Sequence, residues 1–207
     1  MTTMVALLRG INVGGRNKLG MAELRRLAEA CGYEQVRTYI QSGNVIFSVP
    51  AGTARSKADR DPAAVARRLQ SRIAAETGLH PDVVVRSEAD LAAVVKANPW
   101  ASKGVADSEL HVTFLSDSAP AGPRAVLGPL DPSAYAPEEV RVIGRELHLR
   151  LPNGLGRSKL AADLARAKGA RGTTRNWRTV TKLLSMAAAD EPPGHRRSAT
   201  GPGATAD

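Results

Sequence analysis

A single cysteine, Cys31, in 207 residues leaves no means of building an internal disulfide framework, and fits a chain that folds in a reducing compartment. Aromatic residues make up only 3% of the chain, so aliphatic and alanine side chains must fill the core, and few flat surfaces exist for stacking nucleobases. No apolar run approaches the roughly 18–20 residues that span a bilayer, which argues against a membrane-embedded protein. The N-terminus has no basic stretch followed by a long apolar segment and a cleavage site, so a signal peptide is not expected and the cytoplasm is the expected location. His80, His111, His148 and His195 are isolated from one another and from Cys31 at ligand spacing. Neither a metal centre nor a cofactor is therefore expected. No G-x-S-x-G elbow is present, and Ser42 has no base identifiable beside it.

Positive charge, by contrast, is abundant. The net charge is +9, and it is concentrated near the C-terminus. Residues 150–186 hold Arg150, Arg157, Lys159, Arg166, Lys168, Arg171, Arg175, Arg178 and Lys182 against Asp163 alone. Such a segment can attract phosphates on small molecules or nucleic acid, or can be the solvated face of ordinary helices.

Hydrophobic periodicity orders the chain. MVALLRGI is an apolar strand, and MAELRRLAEACGY places Met21, Leu24, Leu27, Ala28 and Cys31 at helical spacing before Gly32. VRTYI and NVIFSV read as strands with QSG as the turn between them. AAVARRLQSRIAAETG is a helix ended by Gly78, and PDVVVRS a fourth strand. The expected order over residues 1–88 is β-α-β-β-α-β, a ferredoxin-like α+β unit. Residues 89–188 form a smaller α+β unit: a helix stopped by Pro99, a strand at LHVTFLS, and a Pro/Gly-rich stretch around 119–137 with room for one short helix. A hairpin turning at Gly144-Arg145 and two C-terminal helices complete it. This order partly echoes the first unit, without a clear sequence repeat. Residues 189–207 carry too little apolar content to order themselves and are expected to be disordered.

The loop LLRGINVGGRNKLGM combines glycines, arginines and asparagines between a strand and a helix. Gly10-x-x-x-x-Gly15 has P-loop spacing, but Arg16 and Asn17 stand where that motif needs Lys and Ser/Thr. The dinucleotide fingerprint is also missing. Two readings remain: backbone N–H groups that cradle an anion, or glycines that merely permit a tight turn. In a ferredoxin-like unit the first two strands are parallel, so the end of the first strand shares a sheet edge with the turn joining strands two and three. Arg9, Asn12 and Arg16 are thereby expected near Gln41, Ser42 and Asn44.

The stretch ALLRGINVGGRNKLGMAELRRLAEACGYEQVRTYIQSGNVIFS closely resembles the opening of the domain of unknown function (DUF) 1697 family of bacterial proteins. GRSKL (156–160) and TTRNWRTVTKLL (173–184) resemble that family's later motifs. The resemblance implies a compact α+β protein with a ferredoxin-like first half, and it implies no mechanism.

In the later motifs, Ser158 is placed to cap a helix, with Arg157 and Lys159 beside the helix start. Thr173 or Thr174 is expected to cap the last helix, with Arg175 and Asn176 in its first turn and Trp177 in the core. Cations there oppose the helix dipole and call for an acidic partner or a bound anion. The expected function is recognition of a phosphorylated or carboxylated small molecule. Arg9, Asn12, Gly14, Gly15, Arg16, Gln41, Ser42 and Asn44 would form the site, joined by Arg157, Lys159, Arg175 and Asn176. The alternatives are nucleic-acid binding through the basic C-terminal region and an enzyme of unassigned reaction.

Overall fold

The apolar N-terminal run forms β1 (Thr2–Arg9), a central strand with a partner on each side in the first of two four-stranded sheets. This is a computed structural model describing residues 1–51, 60–116, 122–128, 130–167 and 171–189. Met4, Ala6 and Leu8 of β1 point to one core, whereas Val5 and Leu7 point to another. Coverage on both faces explains why β1 reads as an unbroken apolar run rather than an alternating one.

The helix α1 (Met21–Ala30), strands β2 (Glu34–Tyr39) and β3 (Asn44–Val49), helix α2 (Pro62–Thr77) and strand β4 (Asp82–Ser87) complete the first unit. The sheet order is β2-β3-β1-β4 with every neighbour antiparallel. This is the expected ferredoxin-like arrangement. Helix α2 has strong local signals at both ends. Asp61 accepts from the Ala63 amide at 3.1 Å, Pro62 opens the helix, and Gly78 closes it at φ 69°. Leu24, Leu27, Leu69 and Ile73 of α1 and α2 pack on the Met4–Ala6–Leu8 face. Full burial contributes about 1.5–3 kcal/mol for each such side chain. Cys31 lies in this core too.

Helix α3 (Glu88–Lys96) follows, started by a reciprocal capping box between Ser87 and Asp90. The second unit contains β5 (Leu110–Leu115), α4 (Pro123–Leu127), β6 (Glu139–Ile143), β7 (Glu146–Arg150), α5 (Lys159–Arg166), β8 (Gly172–Asn176) and α6 (Trp177–Ala188). Its sheet order is β6-β7-β5-β8, the first sheet's order with each strand number raised by four. The echo read from the sequence is thus a full second β-α-β-β-α-β unit, each unit being followed by one more helix.

One expectation needs correction. Thr173, Thr174 and Arg175 belong to β8, not to the start of the last helix, and Asn176 is the residue that caps α6. GTTRN contains no aliphatic residue, so no apolar period announces it. Its strand signals are the two β-branched threonines and its pairing with β5, in which Thr113 faces Thr174 and Val112 faces Arg175.

The two sheets share a core. Val5, Leu7, Ile46 and Val84 of the first unit pack with Leu110, Val112 and Phe114 of the second, closed by Leu91 and Val94 of α3 and by Trp177, Val180 and Leu183 of α6. A third core, with Leu115, Leu147, Leu149, Leu160 and Leu164, fills the space between the second sheet and its own helices. Among the described residues no helix is long and apolar enough to cross a membrane. Most of the loop 50–61 and, apart from Ala189, the tail lie outside the described residues.

Candidate functional site

The loop after β1 and the turn after β2 do meet, through side-chain amides. Asn12 holds φ 55° and uses its whole amide. Its Nδ2 donates to the carbonyls of Leu19 and Gln41, and its Oδ1 accepts from the Leu19 amide, each at 2.9 Å. Asn17 Nδ2 donates to the Gly10 carbonyl at 2.8 Å. Gly14 and Gly15, at φ 56° and 75°, are the central residues of a tight turn that pairs Val13 with Arg16. Two successive positive φ values are what such a primed turn requires. The turn conformation accounts for both glycines, and Arg16 stands exposed beside them.

Across the sheet edge, Gly43 holds φ 76°, and a Cβ placed there would lie 2.6 Å from Ile11 Cδ1 and 2.9 Å from Leu8 Cβ. Asn44 is fully buried. Its Nδ2 donates to the Tyr39 carbonyl at 2.9 Å and to Ser42 Oγ at 3.0 Å. Its Oδ1 accepts from Arg175 Nε at 2.6 Å. Arg175 also donates to the carbonyls of Leu8 (2.8 Å), Ser42 (3.0 Å) and its own neighbour Thr174 (3.0 Å). Burial among neutral groups, with no carboxylate among these partners, lowers its pKa to about 10, so it remains charged at neutral pH.

The predicted residues therefore divide. Asn12, Gln41 (through its carbonyl), Ser42, Asn44 and Arg175 converge, and their hydrogen bonds are spent on one another and on the backbone. Gly14, Gly15 and Arg16 form the exposed loop tip. Arg157 and Lys159 lie elsewhere. Lys159 begins α5 and does not line the spaces that Arg9 borders, and neither does Arg157. Ser158 Oγ caps α5 by accepting from Ala161 N at 2.9 Å, and Glu138 accepts from Leu160 N at 2.9 Å. The protein's own carboxylate thus holds the anion position at that helix start, and Lys159 Nζ lies 5.8 Å from the Tyr135 ring centre. Asn176 Oδ1 accepts from Thr179 N at 2.8 Å as the α6 cap. Trp177 is buried.

Arg9 occupies a different kind of place. It ends β1 opposite Asp82 of β4 and lines two spaces. One is a cavity of about 120 Å³ between the second sheet and helices α4 and α5, walled by Leu115, Val126, Leu147, Leu149 and Leu164. The hydroxyls of Thr113 and Thr174, 2.8 Å apart, and Thr173 add polar groups to it. The other is an open recess of about 230 Å³ bordered by Gly10, Asn17, His80 and Asp82. Among the described residues no three His, Cys, Asp or Glu side chains group to hold a metal.

The stretch from residue 1 to 148 matches the family described as "Protein of unknown function (DUF1697)". The chain belongs to the DUF1697 family. The GRSKL and TTRNWRTVTKLL motifs lie beyond the matched residues. No curated protein matches the chain. Among solved structures it resembles the conserved bacterial protein SP0830 from Streptococcus pneumoniae, with a TM-score of 0.72 and 24% identity, covering 91% of this chain and 99% of that one. That likeness concerns the fold. In this member of DUF1697, much of the RGIN and QSGN pattern serves to bind loop to turn.

The burial of two polar residues escaped the sequence reading. Arg86 is fully buried in β4, with Nε 2.8 Å from Glu146 Oε1. His148 in β7 is fully buried, and neither ring nitrogen has a hydrogen-bond partner among the described residues. Burial lowers its pKa to about 4. A charge inside an apolar strand, as in DVVVRS, and the alternation of RELHLRL were the available signals.

Proposed function

We propose that this DUF1697 protein recognises an anionic small molecule at the junction of its two units, with Arg9 as the charged contact. The observation that supports this reading is the position of Arg9, one residue bordering both the cavity under α5 and the open recess. Concave sites with apolar walls and a few convergent polar groups are where small ligands bind. A guanidinium has five N–H donors in a planar fork, so it can serve a neighbouring strand residue and a carboxylate or phosphate together. Asn17 and the Gly10 backbone border the same recess, which retains part of the expected loop site.

The basic C-terminal region offers less to nucleic acid than its composition suggests. Arg175 is buried, Arg150 bridges Glu109 and Glu139, Arg166 pairs with Asp163, and Trp177 is in the core. A small molecule is the better fit. Isothermal titration of the full chain with inorganic phosphate and with acetate, alongside Arg9→Ala, tests the reading. The variant is expected to fold normally and lose the binding. Affinity unchanged by Arg9→Ala would reject Arg9 as the contact.

A further inference from the structure

The space behind Arg9 limits what the anion can be attached to. We infer that the ligand is a short carboxylic acid with a compact, branched aliphatic tail of about four to five carbons, the tail seated in the cavity under α5 and the carboxylate held at Arg9. This rests on the reading of Arg9 given above and adds the chemical class.

Three features carry it. First, one side of the space is hydrocarbon: Leu115, Val126, Leu147, Leu149 and Leu164 line it, opposite the threonines of β5 and β8. Second, the volume is about 120 Å³, somewhat less than the ~150 Å³ of an apolar cavity that takes benzene. A branched C4–C5 group matches that size, and a long acyl chain does not. Third, polar groups stand at two places among the described lining residues that a ligand oxygen could use. Arg9 provides positive charge at one edge, while the Thr113 and Thr174 hydroxyls bond to each other at 2.8 Å. One hydroxyl donates in that pair, which leaves the second hydroxyl's proton able to reach a ligand oxygen. Among the described residues, the site therefore combines hydrocarbon with the Arg9 guanidinium and a threonine hydroxyl donor.

The wall itself shows how to fill the space. Ala161 and Ala165 lie one helical turn apart on α5, and both border the cavity. A larger side chain at either position occupies volume that the ligand tail would need.

The test uses calorimetry on the full chain with four probes: 3-methylbutanoate, acetate, octanoate and the neutral 3-methylbutan-1-ol. The expected result is that 3-methylbutanoate binds at least tenfold more tightly than each of the others. Ala161→Leu should bring its affinity down to that of acetate without lowering the melting temperature. Ala165→Leu gives the same test from a more exposed position should Ala161→Leu fold poorly. Equal affinity for acetate and 3-methylbutanoate, both lost in Arg9→Ala, would overturn the tail assignment and leave Arg9 as an anion contact. Tighter binding of octanoate would overturn the size limit. Equal binding of the alcohol, unaffected by Arg9→Ala, would overturn the role of Arg9. Absence of binding by all four probes would overturn this inference.

Discussion

Arg175 and Arg86 are reciprocal clasps between the two units. Arg175 of the second sheet donates through Nη2 to the Leu8 carbonyl of the first, and Arg86 of the first donates through Nη2 to the Leu115 carbonyl of the second, each at 2.8 Å. The ladders make the positions equivalent: Arg86 pairs with Val5 and Arg175 with Val112, three residues before Leu8 and Leu115 respectively. The Nε partners are equivalent too. Asn44 faces Leu7 and Glu146 faces Phe114, the corresponding residues of β1 and β5. Even the contact with the preceding carbonyl repeats, Arg86 to Val85 at 2.9 Å and Arg175 to Thr174 at 3.0 Å. An approximate twofold relation thus joins the halves through two buried guanidiniums.

Arg175→Met should destabilise the protein by about 3 kcal/mol or more, since Asn44 Oδ1 and the Leu8 and Ser42 carbonyls would lose their donor in a buried setting. Urea unfolding monitored by the fluorescence of Trp100 and Trp177 checks this. A loss below about 1 kcal/mol would show that water replaces the guanidinium and that the clasp contributes little.

The Arg86–Glu146 clasp behaves differently because it is an ion pair. Arg86→Met alone leaves a buried carboxylate without its cation, at a cost of about 3–5 kcal/mol. Arg86→Met with Glu146→Leu should recover most of that loss, since a buried pair exchanged for hydrocarbon is often neutral. Stabilities of the two single variants and the double variant form the required cycle. Additive losses would disprove the coupling.

These clasps also show what was legible in the sequence. Helices and strands with an apolar period, such as Met21–Ala30 and Asn44–Val49, were readable within a few residues, and so was the ferredoxin-like order. The meeting of Asn12 with the Gln41–Asn44 turn followed from topology alone. β8 was hidden because its inward residues are Thr173 and Arg175, whose burial depends on partners in the other unit. The cavity was invisible for a related reason. Leu147 and Leu149 read as ordinary core residues, and only the packing of α5 shows the space left between them and Ala161. Side chains that bond within one element leave a local pattern, but those that bond across 131 residues, as Arg175 and Asn44 do, leave none.

Two glycines in the resembling motifs should respond differently to alanine. Gly43→Ala adds a methyl group 2.6 Å from Ile11 Cδ1 at φ 76°, where something must shift. It should cost about 2–4 kcal/mol, more than a glycine-to-alanine change at positive φ alone. Gly14→Ala meets open space at φ 56° and should cost about 1 kcal/mol. Thermal unfolding of both variants makes the comparison. Equal losses would mean that backbone conformation, not contact with Ile11, is what requires Gly43.

His148 predicts how the protein responds to acid. In the second unit it stands where the first has Ile46, two residues beyond the Glu146 that matches Asn44. It lies beside Val112 in the ladder, with Arg141 opposite on β6 and Arg86, Glu146, Asp90 and Arg145 bordering the adjoining recess. Burial holds its pKa near 4, below the ordinary value of 6.5. A base whose folded pKa is depressed leaves the unfolded chain as the better proton binder. The stability it permits is therefore complete above about pH 6.5 and is lost as pH falls towards 4. The lost amount approaches about 3 kcal/mol, at 1.36 kcal/mol per pH unit. His111, whose pKa burial also lowers while its bond to the Glu109 carbonyl opposes the shift, acts in the same direction. His148→Ile copies the residue of the other half and removes the titrating group. Urea midpoints of the wild type should fall between pH 6.5 and 4, while those of His148→Ile should fall less steeply and lie higher at pH 4.5. Parallel curves for the two proteins would show that the imidazole is already solvated or paired, and that acid sensitivity arises elsewhere.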